Sequence, residues 1–379
     1  MRSHFQLPPS ICYLNAASET PRPIAAAEAG HQAIGRSEQP WSSGHRDPHQ
    51  QARRVRTLAG AAIGAESVDI ALVPSVSYGM AVAAANLQVR RGGRIILIED
   101  DHLSTTLMWQ RVAATRDAEY DVVRRPVDAD WTSAILRRVE NVDEVSVAVL
   151  SPVHWADGTL IDLDRLVPSL RARGAAIVID ATQAAGVLDF RVDSLDVDFV
   201  AFPAYKWLLG PYGMAFLYVS PRFQNGRPLE EHMGGRKAPA LEQASGLGDL
   251  SYGEGARRFD RGERDESVSL SVAASALGLA QSISFRPRLD ALCGLRDCLI
   301  DELAFLPVDF APPEFRSPHI IGIGLRGRDP ARVAELLARE SVFVSARRGF
   351  LRVSPYMYNN TSDIRQFCNT FRRTLTNSS

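Results

Sequence analysis

Nowhere does this sequence approach the roughly 20 consecutive apolar residues that a membrane-spanning helix needs. The N-terminal stretch MRSHFQLPPSICYLNAASE has no long apolar core of the kind that marks a secretion signal. A soluble, cytoplasmic protein is therefore expected. Cysteine is scarce: Cys12, Cys293, Cys298 and Cys368 are scattered, make no CxxC pair and have no histidines at zinc-ligand spacing. Such usage argues against a disulfide framework and against a metal site, and it fits reduced thiols. There is no basic tract, and the net charge is −1, with arginines and acids interspersed. Nothing points to nucleic acid or to an anionic membrane surface. Internal repeats and low-complexity tracts are also lacking.

What is present is length and apolar content. A chain of 379 residues with 45% hydrophobic residues can hold two domains, or one large α/β domain with an appendage. Residues 1–20 read as an irregular arm with one strand-like piece, Ile11–Leu14, and a polar stretch follows to about residue 50. A helical pattern over Gln51–Ile63 precedes a short apolar strand, Asp69–Val73, whose exit Pro74-Ser75-Val76-Ser77-Tyr78-Gly79 leads into an alanine-rich helix, Met80–Leu87. Strands are then expected at Arg94–Ile98, Tyr120–Val123, Val145–Leu150, Ala175–Ile179, Phe199–Phe202 and Met214–Val219. Helices are expected at Ser104–Ala114, Trp131–Glu140 and Asp162–Arg173. Strands that alternate with helices and are apolar throughout imply a doubly wound, mostly parallel sheet covered on both faces. Residues 220–265 are loop-rich. A long helix, Val268–Ser284, opens a smaller α/β layer with strands His319–Leu325 and Val342–Ser345, the helix Pro330–Glu340 between them, and a closing helix from Ser362. The expected division is a large domain over 20–260 and a small one made from 1–19 and 261–379.

In such sheets ligands gather beyond the carboxyl ends of the strands. The residues there are Ser77, His102, Trp155, Asp180, Gln183 and Lys206. Lys206 sits at a Gly/Pro-rich break between two apolar runs, among Phe202, Tyr205 and Trp207. Partial desolvation disfavours its charged form and makes the amine a better nucleophile toward a carbonyl. The ordinary alternative is a lysine whose stem packs while its head reaches water. A carboxylate such as Asp180 at the end of an apolar strand is costly to bury without a cation, and a protonated pyridine nitrogen would supply one. Its ordinary alternative is a helix cap, as it is for the serines of the 74–79 turn, where a helix start would also hold a phosphate. Gln183 is near enough to Asp180 to hydrogen-bond a ring substituent, or is a surface amide.

The pattern Asp180-x-x-Gln183, Asp198-Phe199, Tyr205-Lys206 and Gly210-Pro211-x-Gly213 resembles the pyridoxal-phosphate enzymes of aminotransferase class V, a group that includes cysteine desulfurases, kynureninases and isopenicillin N epimerase-like proteins. The resemblance extends to Tyr13-Leu14-Asn15-Ala16-Ala17, to Arg258-Phe259-Asp260-x-Gly262, and to Leu351-Arg352-Val353-Ser354 with Tyr358-Asn359. It implies the fold type I transferase fold, pyridoxal 5'-phosphate as cofactor and a homodimer with the active site near the subunit interface. By it, Lys206 would form the Schiff base and shuttle protons at the substrate Cα. Asp180 would bind the ring nitrogen, Gln183 the ring hydroxyl, and His102 would stack on the ring. Val76, Ser77 and Tyr205 would hold the phosphate, Trp155 would border the ring, and Arg352, with Asn15, would hold the substrate carboxylate.

Two departures from the family pattern matter. Relatives often carry Thr after the glycine of the Arg-Phe-x-x-Gly loop, reaching the partner subunit's phosphate; here Glu263 stands there. No cysteine lies between Ser341 and Arg352, which speaks against a persulfide mechanism. Gly322-x-Gly324-x-x-Gly327 matches a dinucleotide fingerprint in spacing, but its glycines begin inside a strand and Glu340 precedes the next strand instead of ending it. The function expected is transamination, or related deprotonation at Cα of a small amino acid. The alternatives are C–S (β/γ) lysis without a catalytic cysteine, epimerisation, and a binding protein that kept the fold without catalysis.

Overall fold

The computed structural model describes residues 1–39, 41, 49–237, 251–262 and 267–377. The expected departure at Glu263 lies outside the described residues.

After β1 (Cys12–Tyr13), the chain forms α1 (Ile24–Ser37) and α2 (His49–Ala61) and then enters a seven-stranded sheet. Its strands are β2 (Ile70–Val73), β3 (Arg94–Ile98), β4 (Glu119–Val123), β5 (Val147–Leu150), β6 (Ala176–Asp180), β7 (Phe199–Pro203) and β8 (Ala215–Val219). The order is β2-β8-β7-β6-β5-β3-β4. Only β8 runs against its neighbours, so β2, β3, β5, β6 and β7 all end at one edge, and β8 starts there. Helices α3 (Val76–Asn86), α4 (Leu103–Arg116), α5 (Trp131–Glu140) and α6 (Leu163–Ala172) are the connections.

Every residue of β2, β5, β7 and β8 is buried, which is what a sheet covered on both faces requires. The period-2 alternation of strand side chains divides one apolar run between two cores. Ala148, Leu150, Ile177, Ile179 and Phe202 pack with Trp131, Ile135 and Leu166 on one face. Val147, Val149, Val178, Phe199 and Ala201 pack with Met80 and Trp109 on the other.

The rest of the chain supplies α7 (Val268–Ser282), α8 (Phe285–Leu303), β9 (Ile321–Gly324), α9 (Pro330–Arg339), β10 (Val342–Phe343), β11 (Ser345–Arg347), β12 (Phe350–Val353) and α10 (Thr361–Asn377). Strands β11, β12 and β9 form an antiparallel sheet, and β1 pairs in parallel with β10, with Cys12 opposite Val342. A separate core joins Leu299, Ile323, Leu337, Leu351 and Phe367 to Cys12 and Leu14. The N-terminal arm is thus stitched into the C-terminal layer.

Several local expectations are corrected. Residues 24–37 form a helix where only a polar stretch was expected, because its alanines Ala26 and Ala33 are buried against the body. The helix after β2 begins at Val76, four residues before Met80, since Ser75 is its N-cap and accepts from Tyr78 N at 3.1 Å. The segment 342–345 is two strands with different partners. Helix α7 buries Leu270, Ala273 and Leu277 in a core of the large sheet, so we propose that it belongs to the large domain. Gly322 of the glycine-spaced motif serves packing: a Cβ there would lie 2.6 Å from Asp157 Cα. Among the described residues no single helix is long and apolar enough to cross a membrane.

Candidate active site at the carboxyl edge of the large sheet

The strand ends converge on a cavity of about 240 Å³. Its lining includes Ser75, Val76 and Ser77 after β2, Asp101 and His102 after β3, Ser151 and Trp155 after β5, Asp180 and Gln183 from β6, and Tyr205 and Lys206 after β7. Tyr212, Gly213 and Met214 close it from the approach to β8. The strand order reverses between β3 and β5, where such sheets open a crevice. His102 and Trp155 stand on either side of that point, their rings edge to face with centroids 5.2 Å apart.

Lys206 is buried, and its amine donates no hydrogen bond to any described residue; the Tyr205 ring lies 5.7 Å away. Burial, and then the positive charge of Arg352, push its pKa from the usual 10.5 down to about 7, against the pull of Asp180. Thr20 Oγ1 donates to the backbone carbonyls of Tyr205 and Lys206 at 3.0 and 2.8 Å, which fixes the turn that carries the amine. Opposite stands Asp180, whose carboxylate accepts from Thr105 Oγ1 and from Thr182 N at 2.9 Å.

Gln183 is held from three sides. Its Oε1 accepts from Trp207 Nε1 at 2.9 Å, its Nε2 donates to the Ala17 carbonyl at 3.2 Å, and its own backbone carbonyl bonds His319 Nε2 at 2.7 Å. Burial drives the His319 pKa down to about 3, so this ring is neutral and donates from Nε2. An amide carries two N–H donors, and one on Gln183 remains for a ligand.

At the start of α3, Ser75 caps the helix and its hydroxyl lies 2.9 Å from that of Ser77. Val76 and Ser77 therefore belong to the first helical turn, whose free N–H groups attract anions. Tyr205 stacks on Tyr212 with centroids 3.7 Å apart. His102 caps α4, its Nδ1 accepting from Ser104 N at 3.2 Å, and burial lowers its pKa.

Arg352 and Asn15 are not lining residues of the cavity, although Arg352 is near enough for its charge to act on Lys206. The Arg352 guanidinium donates to the Trp155 carbonyl at 2.7 Å, to Ser18 Oγ at 2.6 Å and to Ser345 Oγ at 3.3 Å. Asn15 opens the turn that ends at Ser18, and its buried Oδ1 has no hydrogen-bond partner among the described residues.

Several residues at the site escaped the sequence reading. Thr105 lies in the first turn of α4, and Ser18 lies 334 residues from Arg352, so no local pattern joins them to their partners. Asp101 was legible only as part of an acidic loop. It is buried, accepts from His102 N and Ser151 Oγ at 2.7 and 3.1 Å, and burial followed by the nearby Asp180 raises its pKa to about 6. Together the cavity offers an amine for a carbonyl, a carboxylate for a cation, an amide donor and a helix start for an anion.

Comparison with known proteins converges with this geometry. The family model described as Aminotransferase class-V matches residues 12–367. The uncharacterized aminotransferase YcbU of Bacillus subtilis is 25% identical over 80% of this chain and 78% of its own. A probable cysteine desulfurase of Methanothermobacter thermautotrophicus is 27% identical over 73% of this chain and 67% of its own. Among solved structures, the apo cysteine desulfurase of Thermococcus onnurineus superposes with a TM-score of 0.84 at 20% identity, covering 99% of this chain and 97% of the other. The cystine C-S lyase C-DES, in complex with cysteine persulfide, superposes at 0.82 and 18% identity, covering 95% and 97%.

Proposed function

The chain belongs to the aminotransferase class V family of pyridoxal 5'-phosphate enzymes, and from that premise we propose that Lys206 holds the cofactor and moves the proton at Cα of an amino-acid substrate. The observation that carries this reading is a buried amine, free of hydrogen bonds to the described residues, that shares one cavity with Asp180 and Gln183.

The cavity suits the cofactor group by group. The Lys206 amine would meet its aldehyde, Asp180 its ring nitrogen and the spare Gln183 N–H its ring hydroxyl. Val76, Ser77 and Tyr205, with Ser75, would hold its phosphate at the start of α3. His102 would take one face of the ring, and Trp155 would border ring and substrate. When bound, the cofactor withdraws electrons from the bonds at the substrate Cα.

The chain's own residues choose and orient the reacting bond. Arg352 clamps the α-carboxylate, and its bonds to the Trp155 carbonyl and Ser345 fix the plane of the guanidinium. Asn15 supports that end of the substrate. With a pKa near 7, Lys206 is a base matched to neutral pH for removing and returning the Cα proton. Asp180 is held in place by Thr105 and the Thr182 N–H. Transamination, or related Cα deprotonation on a small amino acid, is the reading preferred.

C–S bond lysis is the second reading, favoured by the likeness to a cystine C-S lyase and to cysteine desulfurases. None of the four cysteines lines the cavity, so lysis here would proceed without a protein persulfide. Epimerisation has support from the isopenicillin N epimerase of Streptomyces clavuligerus, 28% identical over 58% of this chain and 56% of its own. The enzyme is taken to act in the cytoplasm as a homodimer whose interface lies near the site. Leu103 and Leu107 on α4 and Tyr212 of the cavity lining, large side chains left exposed, support the dimer.

Purified protein should absorb near the edge of the visible range, and Lys206→Ala should lose that band together with turnover, by at least about 10²-fold. A Lys206→Ala protein that keeps both would sink the reading. Incubation with amino acids, scored for keto acid, pyruvate, sulfur species or inversion, sorts the reactions.

A further inference from the structure

Beside Arg352 stands a second guanidinium that none of the assigned contacts uses. Arg347 lies on β11, two residues from Ser345, and Arg352 lies on β12 directly opposite Ser345. Alternation along the strands therefore sets Ser345, Arg347 and Arg352 on one face of the hairpin. Arg347 Nη2 and Arg352 Nη2 both donate to the same oxygen, Ser18 Oγ, at 3.2 and 2.6 Å. Neither arginine meets a carboxylate among the described residues. Their neighbour Arg348 shows what an arginine of this hairpin does when an acid is within reach: it pairs with Asp100 at 3.4 Å.

Two adjacent cations that share a neutral hydroxyl, one of them 1% exposed, repel each other in a medium that screens poorly. One substrate carboxylate compensates one of them. The other remains uncompensated unless the ligand brings a second negative group. The Ser18 hydroxyl, which accepts from both guanidinium groups, keeps its own O–H to donate to such a group. Burial, and then the charge of Arg347, lowers the Arg352 pKa to about 9, as a cation lacking an anion requires.

We propose that the substrate is an amino acid with an acidic side chain, its α-carboxylate on Arg352 and its second carboxylate on Arg347 and Ser18. This rests on the reading of Arg352 above and narrows the substrate to the dicarboxylic class. The second charged contact is worth about 10- to 100-fold in affinity, the range of a hydrogen-bonded ion pair.

The test is calorimetric titration of the cofactor-loaded protein with glutarate and with pentanoate, which share a carbon chain and differ by one carboxylate. Glutarate should bind about 10- to 100-fold more tightly. Arg347→Gln should abolish the difference and leave the Kd of pentanoate as it was, and Arg348→Gln should preserve the difference. Thermal melting checks that each variant is folded. The proposal is overturned if the two acids bind alike or not at all. It is equally overturned if Arg347→Gln weakens both by one factor, which would put both arginines on a single carboxylate, or if Arg348→Gln erases the difference as well. Failure of the cofactor assignment would show separately, in the Lys206→Ala absorbance, because carboxylate binding reads the arginines alone.

Discussion

Among the described residues two arginines are almost entirely buried, and their surroundings are opposites. Arg56, on α2, forks onto both oxygens of Asp260 and donates to the Ile70 carbonyl at 2.6 Å. Asp260 in turn accepts from Leu72 N at 2.9 Å. One ion pair thereby ties a helix, the first strand of the large sheet and the loop around 258–262. Arg352 is buried just as deeply against three neutral oxygens. Charge that meets its counter-charge inside the protein holds the fold together. Charge buried against neutral oxygens leaves interaction energy that an arriving anion can recover. Lys206 differs from both, since its buried amine shares a cavity with the Asp180 carboxylate.

The sharpest way to break that contrast is Arg56→Leu. Removing the guanidinium from a buried Asp260 should cost about 3–5 kcal/mol of stability, read by urea unfolding; a loss below about 1 kcal/mol would erase the distinction between the two sites. Arg352→Gln should cost less stability, about 1–2 kcal/mol for neutral oxygens that lose a donor, while lowering kcat/KM about 100-fold, because it removes the charged contact to the substrate.

A smaller effect concerns Lys206 in cofactor-free protein. Its folded pKa of about 7 lies below the ordinary 10.5, so between those values the unfolded chain binds the extra proton and stability rises with pH. Lys206→Met should flatten this slope in denaturant titrations from pH 7 to pH 10. An unchanged slope would mean that the amine is not desolvated.

Much of the large domain was legible because apolar strands repeat at short intervals between amphipathic helices, and Trp131–Glu140 was bounded correctly. Two helices were missed for local reasons. Pro21 and Pro23 precede α1 and Gly30 lies within it, so the segment read as a polar stretch and not as a helix. In α8, Pro287 in the first turn and Gly294 at mid-helix obscured the period. In both, burial of one face outweighs weak intrinsic propensity. The Arg258–Gly262 motif was recognised, but its partner Arg56 lies about 200 residues earlier on another element.

The sequence alone determined the kind of chemistry. A lysine and an acid at successive strand ends, a glutamine three residues from that acid, and apolar strands in alternation with helices follow from local order, and their resemblance to aminotransferase class V is what pointed to pyridoxal phosphate. Only the tertiary structure decided which cations are compensated: Ser18 bridging Arg347 and Arg352, Asp260 neutralising Arg56, and His319 bracing Gln183 from the far end of the chain. The physical reason is range. Periodicity and turn chemistry act over a few residues, whereas desolvation and Coulomb interaction depend on distance in space, which is set only when β1 pairs with β10 and the small layer closes on the large one.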